Sequence, residues 1–116
     1  MRRAAPALAT HDGRLVCERC VVADTPWTRF RGLLGARSLP TGEGLLLRPA
    51  PSIHTFFMRF AIDVVFVDRD LRVLRVVERL GPWRFAGCRG AHAALELPAG
   101  EASASGIAPG DRLDLR

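Results

Sequence analysis

A chain of 116 residues that is 48% hydrophobic and 25% charged has the size and composition of one globular domain, which excludes a disordered, collagen-like or membrane-spanning chain. All seventeen basic residues are arginine and the net charge is +5, but the arginines are scattered from Arg2 to Arg116 with acids between them. They describe a solvated, mildly basic surface, and nucleic acid is not an expected partner.

Residues 1–13 are small, polar or basic and close on His11-Asp12-Gly13, which reads as a loose arm ahead of a single β-rich domain over 14–116. The small-residue run from Ala4 to Ala9 is broken by Pro6 and too short for a signal peptide, and the three cysteines are an odd number, so a cytoplasmic protein is expected. Leu15 to Ala23 reads as a strand bounded by Gly13 and Asp24. Asp24-Thr25-Pro26 then supplies a helix start, and Trp27, Phe30, Arg31 and Leu34 share one face, predicting a short helix from Pro26 to Leu34 that ends at Gly35. Leu45 to Leu47 is a brief strand that stops before Pro49.

Ile53 to Arg59, Ile62 to Val67 and Leu71 to Val77 read as further strands, the last two joined by the polar turn Asp68-Arg69-Asp70. No span of these is long enough to cross a bilayer, and the most apolar contains Asp63. Gly81 to Gly90 reads as a loop. A strand over Ala93 to Leu97, one helical turn within Ala99 to Ser105 and a last strand over Arg112 to Arg116 complete the chain. The expected fold is mainly β, a small sandwich or barrel of about six strands with one short helix early and one helical turn late.

Four stretches in order carry a resemblance: Arg31-Gly32-Leu33-Leu34-Gly35 with Gly44-Leu45; Thr55-Phe56-Phe57-Met58-Arg59 running to Asp63 and Asp68; Leu95-Glu96-Leu97-Pro98-Ala99-Gly100; and Ile107 with Gly110-Asp111-Arg112-Leu113. Together they resemble the bacterial and archaeal family called domain of unknown function 192, also uncharacterised protein family 0127. The resemblance implies a small, mainly β domain with a short helix near its start. It brings no settled activity, so no catalytic residue is carried over. Phe57 stands where many members have tryptophan, Ala61 where proline is common, and the segment after Met58 is compact.

Several constellations carry chemistry on paper. Cys17-x-x-Cys20 with Cys88-x-x-x-His92 has the ligand types of a zinc site. In one continuous strand, however, Cys17 and Cys20 would point to opposite faces, so structural thiols and no metal or other cofactor are expected. His54 and Asp63 have the types of a base and its orienting carboxylate. Against that, His54 suits a packed imidazole, and Asp63, interrupting an apolar run, suits a structural acid that accepts backbone N–H groups. Cys88, between Gly87 and Arg89, is a candidate reactive thiol. Loops 36–52 and 81–92 are the expected binding segments, with Arg48, His54, Met58, Arg59, Trp83, Arg84 and Arg89 as candidates.

The reading these features support is a non-enzymatic accessory domain that binds a small ligand or a protein. The alternatives are a small hydrolase or metal-dependent enzyme built on His54 and Asp63, and a DNA-binding β-barrel regulator. Without an aromatic platform, the scattered arginines would hold duplex DNA only weakly.

Overall fold

In the computed structural model, which describes residues 8–10, 13–33 and 35–115, the apolar runs become the middle of a five-stranded sheet. Its order is β3-β4-β9-β6-β7, formed by β3 (Arg19–Ala23), β4 (Glu43–Leu47), β6 (Ile62–Val67), β7 (Val73–Leu80) and β9 (Ala93–Pro98). β3 and β4 run parallel, while the remaining neighbours are antiparallel. Every residue of β6 is buried, because this central strand is covered on both faces. That is why its sequence, apart from Asp63, is an apolar run rather than an alternation.

Each face of the sheet has its own layer. On one, Leu46, Val65, Val67, Leu95 and Leu97 pack against Cys17, Cys20, Ala102, Ile107 and Leu113. Cys20 is contributed by β3 itself, and the other partners belong to β2 (Leu15–Cys17), α2 (Glu101–Ser105), β10 (Leu113–Leu115) and the connections beside them. On the other, Leu45, Leu47, Ile62, Val64, Phe66 and Ala94 pack against Ala50, Ile53, Met58 and Ala86. Here the cover includes β5 (Ser52–His54) and β8 (Phe85–Gly87), a two-stranded sheet of their own. α1 (Pro26–Arg31) connects β3 to the loop before β4. Among the described residues the five-stranded sheet stays open from β3 to β7, so the fold is a layered, mainly β domain and not a closed barrel.

Several elements differ from expectation. Leu8–Thr10 is a strand, β1, seated between β10 and β2, where the sequence suggested part of a loose arm; residues 1–7, 11 and 12 lie outside the described residues. The strand expected over Leu15 to Ala23 is interrupted at Glu18, where the N–H groups of Glu18 and Arg19 both donate to the Gly42 carbonyl at 2.8 and 2.9 Å. Of the segment Ile53 to Arg59 only Ile53 and His54 are strand, as the end of β5, and the supposed loop 81–90 contains β8. α1 is capped by the Thr25 side chain in a reciprocal box with Thr28 and stops at Gly32, three residues before the expected Gly35.

Asp63 fastens two parts of this frame. Its Oδ1 accepts the Arg79 N–H at 2.8 Å, and its Oδ2 accepts the N–H groups of Gly100 and Ala102 at 3.0 and 2.9 Å. Gly100, the N-cap of α2, has no side chain to serve the helix, so a carboxylate from β6 does so from the face of the sheet that α2 covers.

Candidate functional site

Glu96 is the group the sequence reading passed over. It pairs with Leu45 on one side and Val64 on the other, which places its side chain on the Ala94 face of the central strand, at the floor of a cavity of about 330 Å³. Leu47 shares that floor, while Arg29, Pro49, His54 and Met58 contribute to the walls. Glu96 is 4% exposed, and no hydrogen bond or ion pair reaches its carboxyl among the described residues. No fully enclosed side-chain polar atom lacks a partner there, so the Glu96 oxygens open to the cavity. Burial without a compensating charge pushes its pKa up to about 8. The carboxyl is therefore mostly protonated at neutral pH and is able both to donate and to accept a hydrogen bond.

The wall of the cavity is held by the backbone. Arg29 Nη1 donates to the Pro49 carbonyl at 3.0 Å, tying α1 to the loop that carries the cis Arg48-Pro49 bond. Arg48 is turned away to Asp24, 3.9 Å distant. Met58 is buried in the wall, whereas His54 is exposed at the rim, where its Nδ1 accepts the Phe56 N–H at 3.3 Å.

Beside that rim stands a ledge of aromatic rings. His54 stacks on Phe56 with centroids 5.0 Å apart, Phe56 on Trp83 at 6.0 Å, and Phe57 tilts against Trp83 at 4.6 Å. Phe57 is 71% exposed and Trp83 56%. Buried Thr55 locks the two contributing segments together: its N–H donates to the Arg84 carbonyl, its carbonyl accepts the Trp83 N–H, and its hydroxyl bonds the Gly81 carbonyl and the Arg84 N–H. The sequence expectation that no aromatic platform exists is thus corrected. The rings come from segments far apart in the chain and meet only through β5, β8 and Thr55.

Other candidates are dispersed. Asp63 is spent on three backbone donors on the α2 face, while His54 lies on the β5 face, so the sheet separates the supposed catalytic pair. Cys17 and Cys20 do not point apart as a continuous strand requires. The bend at Glu18 turns both into one core, where their hydrogen bond draws Cys17 below its ordinary pKa and, with burial, pushes Cys20 up. Gly44 makes room for this: a Cβ there would come within 2.8 Å of Cys17 Sγ. Cys88 packs against the opposite core, with its thiol donating to the Arg89 carbonyl at 3.7 Å, and half-buried His92 borders a separate shallow depression with Asp68 and Asp70. The four zinc-type ligands therefore straddle the sheet. The purified protein should carry no stoichiometric zinc, and its melting temperature should not move with a chelator; one tightly held equivalent by elemental analysis would contradict this arrangement.

A family model named DUF192, Uncharacterized ACR, matches residues 7–115. A UPF0127 protein of Thermococcus sibiricus is 35% identical over 107 residues, covering 88% of this chain and 69% of that protein. Among crystal structures, a protein from Sinorhizobium meliloti, provisionally named a transcription regulator, superposes with a TM-score of 0.84 at 25% identity over 97% of this chain and 92% of its own. A protein of unknown function from Novosphingobium aromaticivorans superposes with a TM-score of 0.81 at 24% identity, covering 95% and 83%, which speaks for the fold alone.

Proposed function

The chain belongs to the DUF192 family of uncharacterized proteins, and since that family carries no established reaction, we propose from the geometry that it is a binding domain for a small ligand bearing a basic nitrogen. One observation carries this reading: a carboxyl buried at the floor of a cavity with no partner of its own. Such a group costs stability unless something completes it. A protonated amine, amidine or imidazole would do so, exchanging the proton on Glu96 for a charge-assisted hydrogen bond within walls of mixed polar and apolar character. The hydrolase alternative has no comparable support, because His54 and Asp63 do not face one another. The described residues include no helix long and apolar enough to cross a membrane, and three free thiols suit a reducing compartment such as the cytoplasm.

Titration calorimetry with benzylamine and its neutral isostere benzyl alcohol tests the reading. Because the cation needs the ionised carboxyl, affinity for the amine should rise about tenfold from pH 6 to pH 7 and level off above pH 8, where Glu96 is already charged. The slope should vanish in Glu96→Gln. Equal binding of the alcohol, or an amine affinity flat across this range, would overturn the proposal.

A further inference from the structure

The aromatic ledge has a cost that folding alone does not explain. Phe57 and Trp83 hold left-handed backbone at φ 67° and 63°, conformations that disfavour bulky side chains. Both nevertheless present their rings to solvent, as do Phe56 and Phe85. Phe85 stands directly across from His54 in the β5/β8 pair and extends the same surface. The Thr55 bonds fix these rings before any partner arrives, which lowers the entropy lost on binding.

Charge marks the same surface. Residues 49–62 and 79–95, the stretches that build the ledge, contain no aspartate or glutamate but include Arg59 and Arg84. Both arginines are exposed, and neither has a side-chain hydrogen bond or ion pair within the described residues. His54, Phe56 and Trp83 stack on one another within 30° of parallel, and Phe57 and Trp83, which remain largely exposed, keep ring surface open to a flat partner. These guanidiniums, carried close to Phe57 and Trp83 in the chain, offer sites for phosphate.

We infer that the ledge of His54, Phe56, Phe57 and Trp83, bordered by Arg59 and Arg84, binds single-stranded nucleic acid, stacking bases on the rings and pairing phosphates with the arginines. Duplex DNA hides its base faces, and α1 and α2, of six and five residues, are too short to serve as groove-reading helices. A lipid surface shares the anionic charge, but it has no use for near-parallel rings held in register. The inference stands on the ledge and not on the Glu96 cavity, although His54 borders both.

Fluorescence anisotropy with labelled oligothymidylate and oligouridylate of about twelve nucleotides, against a duplex of equal length, tests it. Binding should be confined to the single strands and should quench Trp83 emission in a Trp27→Phe background. Trp83→Ala should weaken binding tenfold or more while melting as a folded protein. Arg59→Ala combined with Arg84→Ala should flatten the dependence of log affinity on log salt by about 1.4, and Glu96→Gln should bind as the parent does, separating this site from the cavity. Equal or tighter duplex binding, an unquenched Trp83, or co-sedimentation with phosphatidylglycerol vesicles in place of oligonucleotide binding would overturn the inference.

Discussion

Replacing Glu96 by glutamine should raise the melting temperature at pH 8 by roughly ten degrees or more and leave it nearly unchanged near pH 4.5. The reason is linkage. In the unfolded chain this carboxyl ionises near its ordinary 4.5, whereas in the fold burial holds the proton until about pH 8. Below pH 4.5 both states are neutral and nothing is lost. Between 4.5 and 8 the unfolded chain ionises while the native state does not, so native stability falls as pH rises. Above 8 the loss is complete, amounting to at most roughly 5 kcal/mol. Glutamine keeps the shape and stays neutral throughout, which removes the fall. Denaturant titrations of parent and variant at pH 5, 7 and 8 read the divergence directly, and parallel pH profiles would show that Glu96 is solvated and charged in the native protein. The group that weakens the fold is the one that the proposed cationic ligand would complete, a trade of stability for binding.

Asp63→Ala should cost about 3 kcal/mol or more, measured by chemical denaturation. Three backbone N–H groups lose a charged acceptor at once, and the one on Ala102 lies fully buried. Asp63→Asn should fall between: its single carbonyl oxygen still serves Gly100 and Ala102, but its amide then faces the Arg79 N–H, donor against donor. Amide exchange at Gly100 and Ala102 should speed up in the alanine variant while β9 stays protected. A loss of ligand binding with no change in melting would instead make Asp63 part of a site.

The frame was readable where burial is two-sided or local chemistry is strong. Ile62 to Val67 and Ala93 to Leu97 announce themselves as apolar runs, and the Thr25-Pro26 start of α1 needs only its own neighbours. The resemblance to the uncharacterised family was equally legible, from four short motifs that the family match spans. What was hidden depends on distant partners. The bend that unites Cys17 with Cys20 is imposed by the Gly42 carbonyl, and no residue at Glu18 or Arg19 signals it. β1 looked like an arm because Leu8, Ala9 and Thr10 are ordinary until β10 arrives alongside. Glu96 was missed for a different reason. One acid between two leucines reads as the outward residue of a half-exposed strand, and only the layer of β5, β8 and α1 over that face turns it inward. The ledge was half seen: His54, Trp83 and Arg84 stood out individually, but their juxtaposition rests on Thr55, a residue with no sequence signal of its own.

The pairing of β1 with β10, Leu8 opposite Leu115 and Thr10 opposite Leu113, has a bearing on how the protein is made. β1 is synthesised well before the partner that closes its second edge. At roughly 5–20 residues per second, β1 waits on the order of ten seconds on the ribosome with only the β2 side able to pair. During that interval its other edge presents unsatisfied N–H and carbonyl groups, the template on which nascent chains join one another. Closing so long a loop adds little thermodynamic cost, because the entropy grows only with the logarithm of length, but pairing across such a sequence separation is slow to form. Crowded polysomes, where neighbouring copies expose the same edge together, favour such pairing between chains.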